Sequence, residues 1–192
     1  MAHPFMDAVA GGLAEADVAT FRFQFPYMEA RSRRPDPPAL CHATVRAAVA
    51  EAARLSPGLP LIAGGRSFGG RMTSQAQAQS PLPGVMGLAF FGFPLHPAGH
   101  PSDERAKHLS DVTIPMLFLQ GDHDELAEIS LLEPLIARLG AQATLKLERD
   151  ADHSFHVPRR SGRTDAEVVA ELVRAFVSFV DTCVNSARSE RS

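Results

Sequence analysis

The run Gly64-Gly-Arg-Ser-Phe-Gly-Gly70 constrains this chain more than any other stretch. A short apolar strand, residues 59–63, leads into it, and a helix is predicted after it over residues 69–80. Within the run stands Gly65-x-Ser67-x-Gly69. A serine between a strand end and a helix start sits on a sharp turn, where side chains two residues to either side would collide; glycine at both places removes the clash. The turn lifts the hydroxyl above the sheet and points a helix N-terminus at it. A phosphate-binding loop is excluded, because the run has neither a Gly-Lys-Ser/Thr ending nor Gly-x-Gly-x-x-Gly.

The rest of the sequence supplies the sheet that such a turn needs. Period-two or continuous apolar runs predict strands at 18–25, 85–93, 115–120 and 143–148. Amphipathic spacing predicts helices at 5–16, 40–55, 103–109 and 129–139, the last closed by Gly140. A final helix opens on the capping box Thr164-Asp-Ala-Glu167. Strands alternating with helices predict an α/β fold, a doubly wound, mostly parallel sheet. The chain reads as one domain over residues 1–184, with a polar tail, 185–192, expected to fray. Net charge is −3 over 192 residues with no basic run, which argues against a nucleic-acid partner. No apolar run reaches membrane-spanning length. The N-terminus lacks a basic start and an apolar stretch, and the two cysteines, Cys41 and Cys183, make no disulfide framework. A cytoplasmic location is the expectation. His96, His100 and His123 lack metal-site spacing, so no metal or cofactor is expected.

A serine nucleophile needs a base, and the base needs an orienting carboxylate. In this kind of sheet the chain order is Ser, Asp or Glu, His. The strand at 115–120 ends in Gly121-Asp-His-Asp124, and the next strand in Asp150-Ala-Asp-His153. Asp124 is preferred to Asp122 because it lies further into the turn. His153 is preferred to His156 because it comes first after its strand. His123 is the runner-up base, but it sits beside the acid on the same turn and reads as a wall residue. The Phe68 N–H, at the helix start, is the expected oxyanion donor. The loop 93–101 should lie over the site, where His96 either touches substrate or belongs to a rigid proline loop. Arg66 and Arg71 flank the turn, with two roles open: binding an acidic substrate group, or pairing with carboxylates that hold the turn.

Gly64-Gly-Arg-Ser-Phe-Gly-Gly-Arg71, Phe93-Pro-Leu-His-Pro97, Leu117-Phe-Leu-Gln-Gly-Asp-His-Asp124 and Asp152-His-Ser-Phe155 together resemble the α/β-hydrolases related to dienelactone hydrolases. With Phe25-Pro-Tyr-Met28 and Arg33-Arg34-Pro35, they are similar to bacterial relatives of the testis-expressed and NSL-complex-subunit branch. The resemblance implies a triad of Ser67, Asp124 and His153 and no cofactor. The branch itself implies no substrate; a small ester-like molecule and, as an assembly, a homodimer are the expectations. Two functions follow as expectations: a serine hydrolase of esters, thioesters or lactones, or a hydrolase-fold scaffold of weak or no activity. Members of this family begin with further strands and a glycine-rich oxyanion loop. Here the chain starts where that loop ends, at His3-Pro-Phe-Met6, so the fold is expected to lack its N-terminal strands. A gap is then expected between the strand at 18–25 and the one at 59–63. Three explanations stand open: a truncated gene, direct pairing of those two strands, or completion by a partner chain.

Overall fold

Two stripes of apolar side chains, alternating along each central strand, set the layers of the molecule. A computed structural model describes residues 3–189. Four strands, β1 (Leu61–Arg66), β2 (Val85–Phe91), β3 (Met116–Gly121) and β4 (Ala143–Glu148), form one parallel sheet in that order. Leu88, Phe90, Met116 and Phe118 point into one core, while Ala89, Phe91, Leu117 and Leu119 point into the other. A strand apolar on both faces is what a sheet covered on both sides demands. On the first face lie α3 (Pro38–Leu55), α4 (Phe68–Gln79) and α5 (Ile129–Leu139); on the second lie α1 (Pro4–Glu15) and α6 (Asp165–Ser189). Phe90 and Phe118 are fully buried and stack edge-on at 4.9 Å. Each such ring stabilises the fold by about 1.5–3 kcal/mol through burial.

The helix ends follow local chemistry. Pro4 and Pro38 open α1 and α3, where the missing proline N–H costs no hydrogen bond. The capping box forms as read: Glu167 accepts from the Thr164 N–H at 2.7 Å, and the Glu167 N–H donates to Thr164 Oγ1 at 3.2 Å. Gly140 ends α5 at φ 61°. The helix at 103–109 is instead a 3₁₀ segment, Glu104–Asp111. Helix α6 continues to Ser189; residues 190–192 of the predicted tail lie outside the described residues. No helix among the described residues is long and apolar enough to cross a membrane. Cys41 and Cys183 are buried free thiols.

The strand predicted at 18–25 is corrected. That segment takes part in no strand pairing. Its alternation of Phe21, Phe23 and Phe25 satisfied the local signal for a strand, but a strand needs a neighbour to hydrogen-bond. Among the described residues β1 pairs only with β2, so its other edge is open. Between that edge and residues 18–23 runs a groove of about 220 Å3, with Val9, Val45 and Val49 among its walls. The expected gap is thus present, and the two flanking segments do not close it by pairing. Phe21 and Phe23 are left 44% and 36% exposed. A short helix, α2 (Pro26–Glu29), follows and turns the chain toward α3.

Candidate active site

The chain leaves β1 at Ser67 with φ 49° and ψ −117°. A residue with a β-carbon enters this region at a cost of about 1–3 kcal/mol, so the neighbours must hold it there. They do so from both sides. The Ser67 N–H donates to Phe91 O at 3.0 Å, extending the ladder with β2, and the Arg71 N–H closes the first turn of α4 on Ser67 O at 3.2 Å. Phe68 is the first residue of α4. Its N–H therefore has no acceptor within the helix and lies at the positive end of the helix dipole.

The glycines that permit this turn differ in part from the motif's pair. A β-carbon on Gly65 would lie 3.3 Å from Gly69 C, as the motif requires. One on Gly69 would meet nothing within 4 Å. The tightest places are Gly64, where it would lie 1.9 Å from Ala89 O, and Gly70, where it would lie 2.8 Å from Gly65 O. The turn is pressed against β2 and against its own helix, and Gly69 faces open space.

His153 and Asp124 come to Ser67 from the C-terminal ends of β4 and β3, as expected for a parallel sheet. His153 Nε2 lies 2.8 Å from Ser67 Oγ, and His153 Nδ1 lies 2.7 Å from Asp124 Oδ2. A carboxylate only accepts, so Nδ1 carries the proton and Nε2 offers its lone pair to the serine hydroxyl. The Asp124 side chain is fully buried. Its charge is compensated by two further donors, Gln120 Nε2 on Oδ2 and the Leu126 N–H on Oδ1 at 2.8 Å. Gln120 is in turn fixed by the Phe93 N–H, which donates to its Oε1 at 2.8 Å.

The histidine loop is shaped by Asp152, whose Oδ1 accepts from the Ser154 N–H at 2.7 Å and the His156 N–H at 3.0 Å. Phe155 sits at φ 61°, and its ring stacks on Phe5 of α1 at 5.1 Å. Gly92, at φ 70°, backs the imidazole: a β-carbon there would lie 3.3 Å from two atoms of the His153 ring. Close approach of β3 to this loop needs Gly121, where a β-carbon would fall 2.2 Å from Ala151 O.

The competing candidates are engaged elsewhere. Asp122 and His123 pair with each other at 2.8 Å, with His123 largely exposed. His156 pairs with Asp165 at 2.9 Å at the surface, which raises the histidine pKa and lowers that of the carboxylate. His96 is fully buried. Its Nδ1 donates to Pro97 O at 2.9 Å, and its Nε2 faces Glu128. With no exposed surface it braces the loop 93–101, the rigid-loop role rather than contact with substrate.

Arg66 is half-buried. It donates to Ser154 Oγ at 3.0 Å, reaches His3 Nε2 at 3.4 Å and lies over the Phe5 ring. Burial lowers its pKa, while the nearby charges of Asp152 and Asp124 raise it. It is thus tied to the histidine loop instead of standing free for a substrate group.

Sequence reasoning missed Gln120. A polar residue closing an otherwise apolar strand, four before the acid, is the signal that marks it. No group of three or more potential ligands among the described residues could hold a metal ion.

The fold recurs in known structures. The chain superposes on an alpha-beta serine hydrolase homologue from Coxiella burnetii with a TM-score of 0.70 at 21% identity, covering 88% of this chain and 74% of that one. A serine hydrolase without a lid from Xanthomonas campestris gives a TM-score of 0.70 at 24% identity, covering 93% and 75%. Est1E from Butyrivibrio proteoclasticus gives 0.68 at 16%, covering 94% and 83%. At these identities the likeness is one of fold. The sequence model of the alpha/beta hydrolase domain matches residues 1–181. Nearly the whole chain is spanned by that match, and the protein belongs to the alpha/beta hydrolase domain family.

Proposed function

We propose that the protein is a serine hydrolase that cleaves carboxylic esters, thioesters or lactones through an acyl-enzyme. One observation carries this reading: the unbroken line Ser67 Oγ, His153 Nε2, Asp124 Oδ2 at 2.8 and 2.7 Å, anchored on a strained turn. His153 takes the Ser67 proton as Oγ attacks the acyl carbon. The charge that develops on the carbonyl oxygen is met by the Phe68 N–H. Collapse breaks the bond to the leaving group, which receives the proton from His153 Nε2. Water then attacks the acyl-serine, gives its proton to Nε2, and the serine leaves with that proton as the carboxylic acid is released. Asp124 holds the imidazole in the productive tautomer and balances the imidazolium. The sequence resemblance to dienelactone hydrolases keeps lactones among the substrates.

A scaffold reading would rest on the open edge of β1, and the same experiment separates the two. Phenyl acetate mixed with excess protein should release phenol, and intact mass should show a transient gain of one acetyl group. Ser67→Ala should lose both. Turnover that persists in Ser67→Ala would transfer the nucleophile to another residue. A folded wild type that does neither would favour the scaffold.

A further inference from the structure

The Nε of both arginines beside the turn is buried without a hydrogen-bond partner, but the rest of their surroundings differ. Arg66 is tied to the histidine loop and faces the carboxylates of Asp152 and Asp124. Arg71 has no such compensation. It stands on α4 one turn beyond Ser67, with its guanidinium 5.5 Å from the Phe68 ring. It is half-buried, its Nε is buried with no hydrogen-bond partner, and neither Arg71 nor Arg105 forms an ion pair among the described residues.

Arg105 is brought there by packing. The 3₁₀ segment Glu104–Asp111 lies on α4, and His108 Nε2 meets Ser74 Oγ at 2.8 Å. Arg71 precedes Ser74 by about one turn of α4, and Arg105 precedes His108 by one turn of the 3₁₀ segment. Burial and the facing Arg105 charge both lower the Arg71 pKa. His108 adds no charge at neutral pH, since burial first and then Arg71 push its pKa down to about 4. Two half-buried cations on contacting segments, neither paired with a carboxylate, are repulsive in the free protein. An anion from outside relieves that repulsion and supplies the missing acceptors.

We propose that Arg71 and Arg105 form a subsite for a carboxylate on the substrate, so that the preferred esters carry a free carboxylate on their acyl or alcohol half. The inference rests on the hydrolase reading above for its substrate, but not for its binding. Arg71 stands in the first turn of α4, where its N–H donates to Ser67 O at 3.2 Å, so an anion on its side chain lies within a few bonds of a carbonyl at Ser67. Phe68, between them, offers its N–H to the carbonyl oxygen and its ring to the apolar link.

Two matched pairs test it: the phenyl half-ester of glutarate against phenyl pentanoate, and 4-carboxyphenyl acetate against phenyl acetate. In at least one pair the carboxylate should raise kcat/KM in the wild type. Arg71→Gln should reduce that charged-to-neutral ratio by about 10- to 100-fold, the worth of a charge-assisted hydrogen bond in a half-buried site. Arg71→Lys should retain part of the ratio. A purely structural role would lower both esters together and leave the ratio unchanged. Arg105→Gln, which breaks no hydrogen bond, should reduce the ratio in the same direction and covers a misfolded Arg71 variant.

Calorimetry with glutarate on the Ser67→Ala protein separates the two readings. Glutarate binding that weakens at least about tenfold on adding Arg71→Gln upholds the subsite even if no ester is turned over. Ester hydrolysis with equal rates within both pairs, together with no glutarate binding, would overturn the subsite and leave the hydrolase reading standing.

Discussion

Asp124→Asn should lower kcat for phenyl acetate by about 1,000- to 10,000-fold, the order expected when this carboxylate is neutralised in a Ser-His-Asp site. The hydrogen bonds say why. Three donors converge on Asp124: His153 Nδ1, Gln120 Nε2 and the Leu126 N–H. Asparagine has one acceptor oxygen and one amide nitrogen that only donates. If the oxygen faces His153, the amide nitrogen meets the Leu126 N–H, donor against donor. If the nitrogen faces His153, the imidazole must place its proton on Nε2, and Nε2 can no longer accept from Ser67. Either arrangement also leaves a buried donor unpaired, which should cost about 1–3 kcal/mol in urea denaturation. A variant with wild-type kcat would show that Asp124 does not set the histidine tautomer.

Gly64→Ala should be the most damaging single methyl in the protein. Its β-carbon would lie 1.9 Å from Ala89 O, a main-chain atom of the neighbouring strand. No rotamer relieves that contact, so β1 must move off β2 and take the serine turn with it. A loss above about 4 kcal/mol is expected, among the largest for one substitution. Domains of this kind have only about 5–15 kcal/mol in total, so the variant should unfold at a much lower urea concentration than the wild type. Gly69→Ala is the contrast. Its added carbon meets nothing within 4 Å, and it lies in the first turn of α4. Alanine is the better helix former there by about 0.8–1 kcal/mol. Urea midpoints of the two variants should therefore move in opposite directions. Equal destabilisation would mean that the motif's outer glycine is under a constraint that the packing does not account for.

Those two glycines also show where sequence reading succeeds and fails. The serine turn was legible because its signal is local: a strand, a glycine-rich run and a helix in immediate succession. Asp124 and His153 were legible because parallel strands deliver their C-terminal ends to one edge, so residues just past successive strands meet. Which glycine touches what was not legible, because Gly64 is pressed by a strand more than twenty residues away in the chain. The segment at 18–25 failed for the same reason. Its alternating phenylalanines meet the local requirement for a strand, yet pairing is decided by a neighbour that the segment's own sequence does not describe. For His96 the sequence left two roles open, contact with substrate or part of a rigid proline loop, because nothing local shows that contacts with Pro97 and Glu128 leave it fully buried. Arg66 and Arg71 looked equivalent beside the serine, and only their partners from distant segments tell them apart.

The identity of the nucleophile is the centre of this account, and a fluorophosphonate tests it without knowledge of the substrate. The reagent phosphonylates a serine only where a base removes its proton and donors meet the developing charge. Peptide mapping of the labelled wild type should place the modification on Ser67 alone, with labelling lost in Ser67→Ala and strongly slowed in His153→Gln. A folded wild-type protein that takes up no label, or takes it up at another serine, would contradict it.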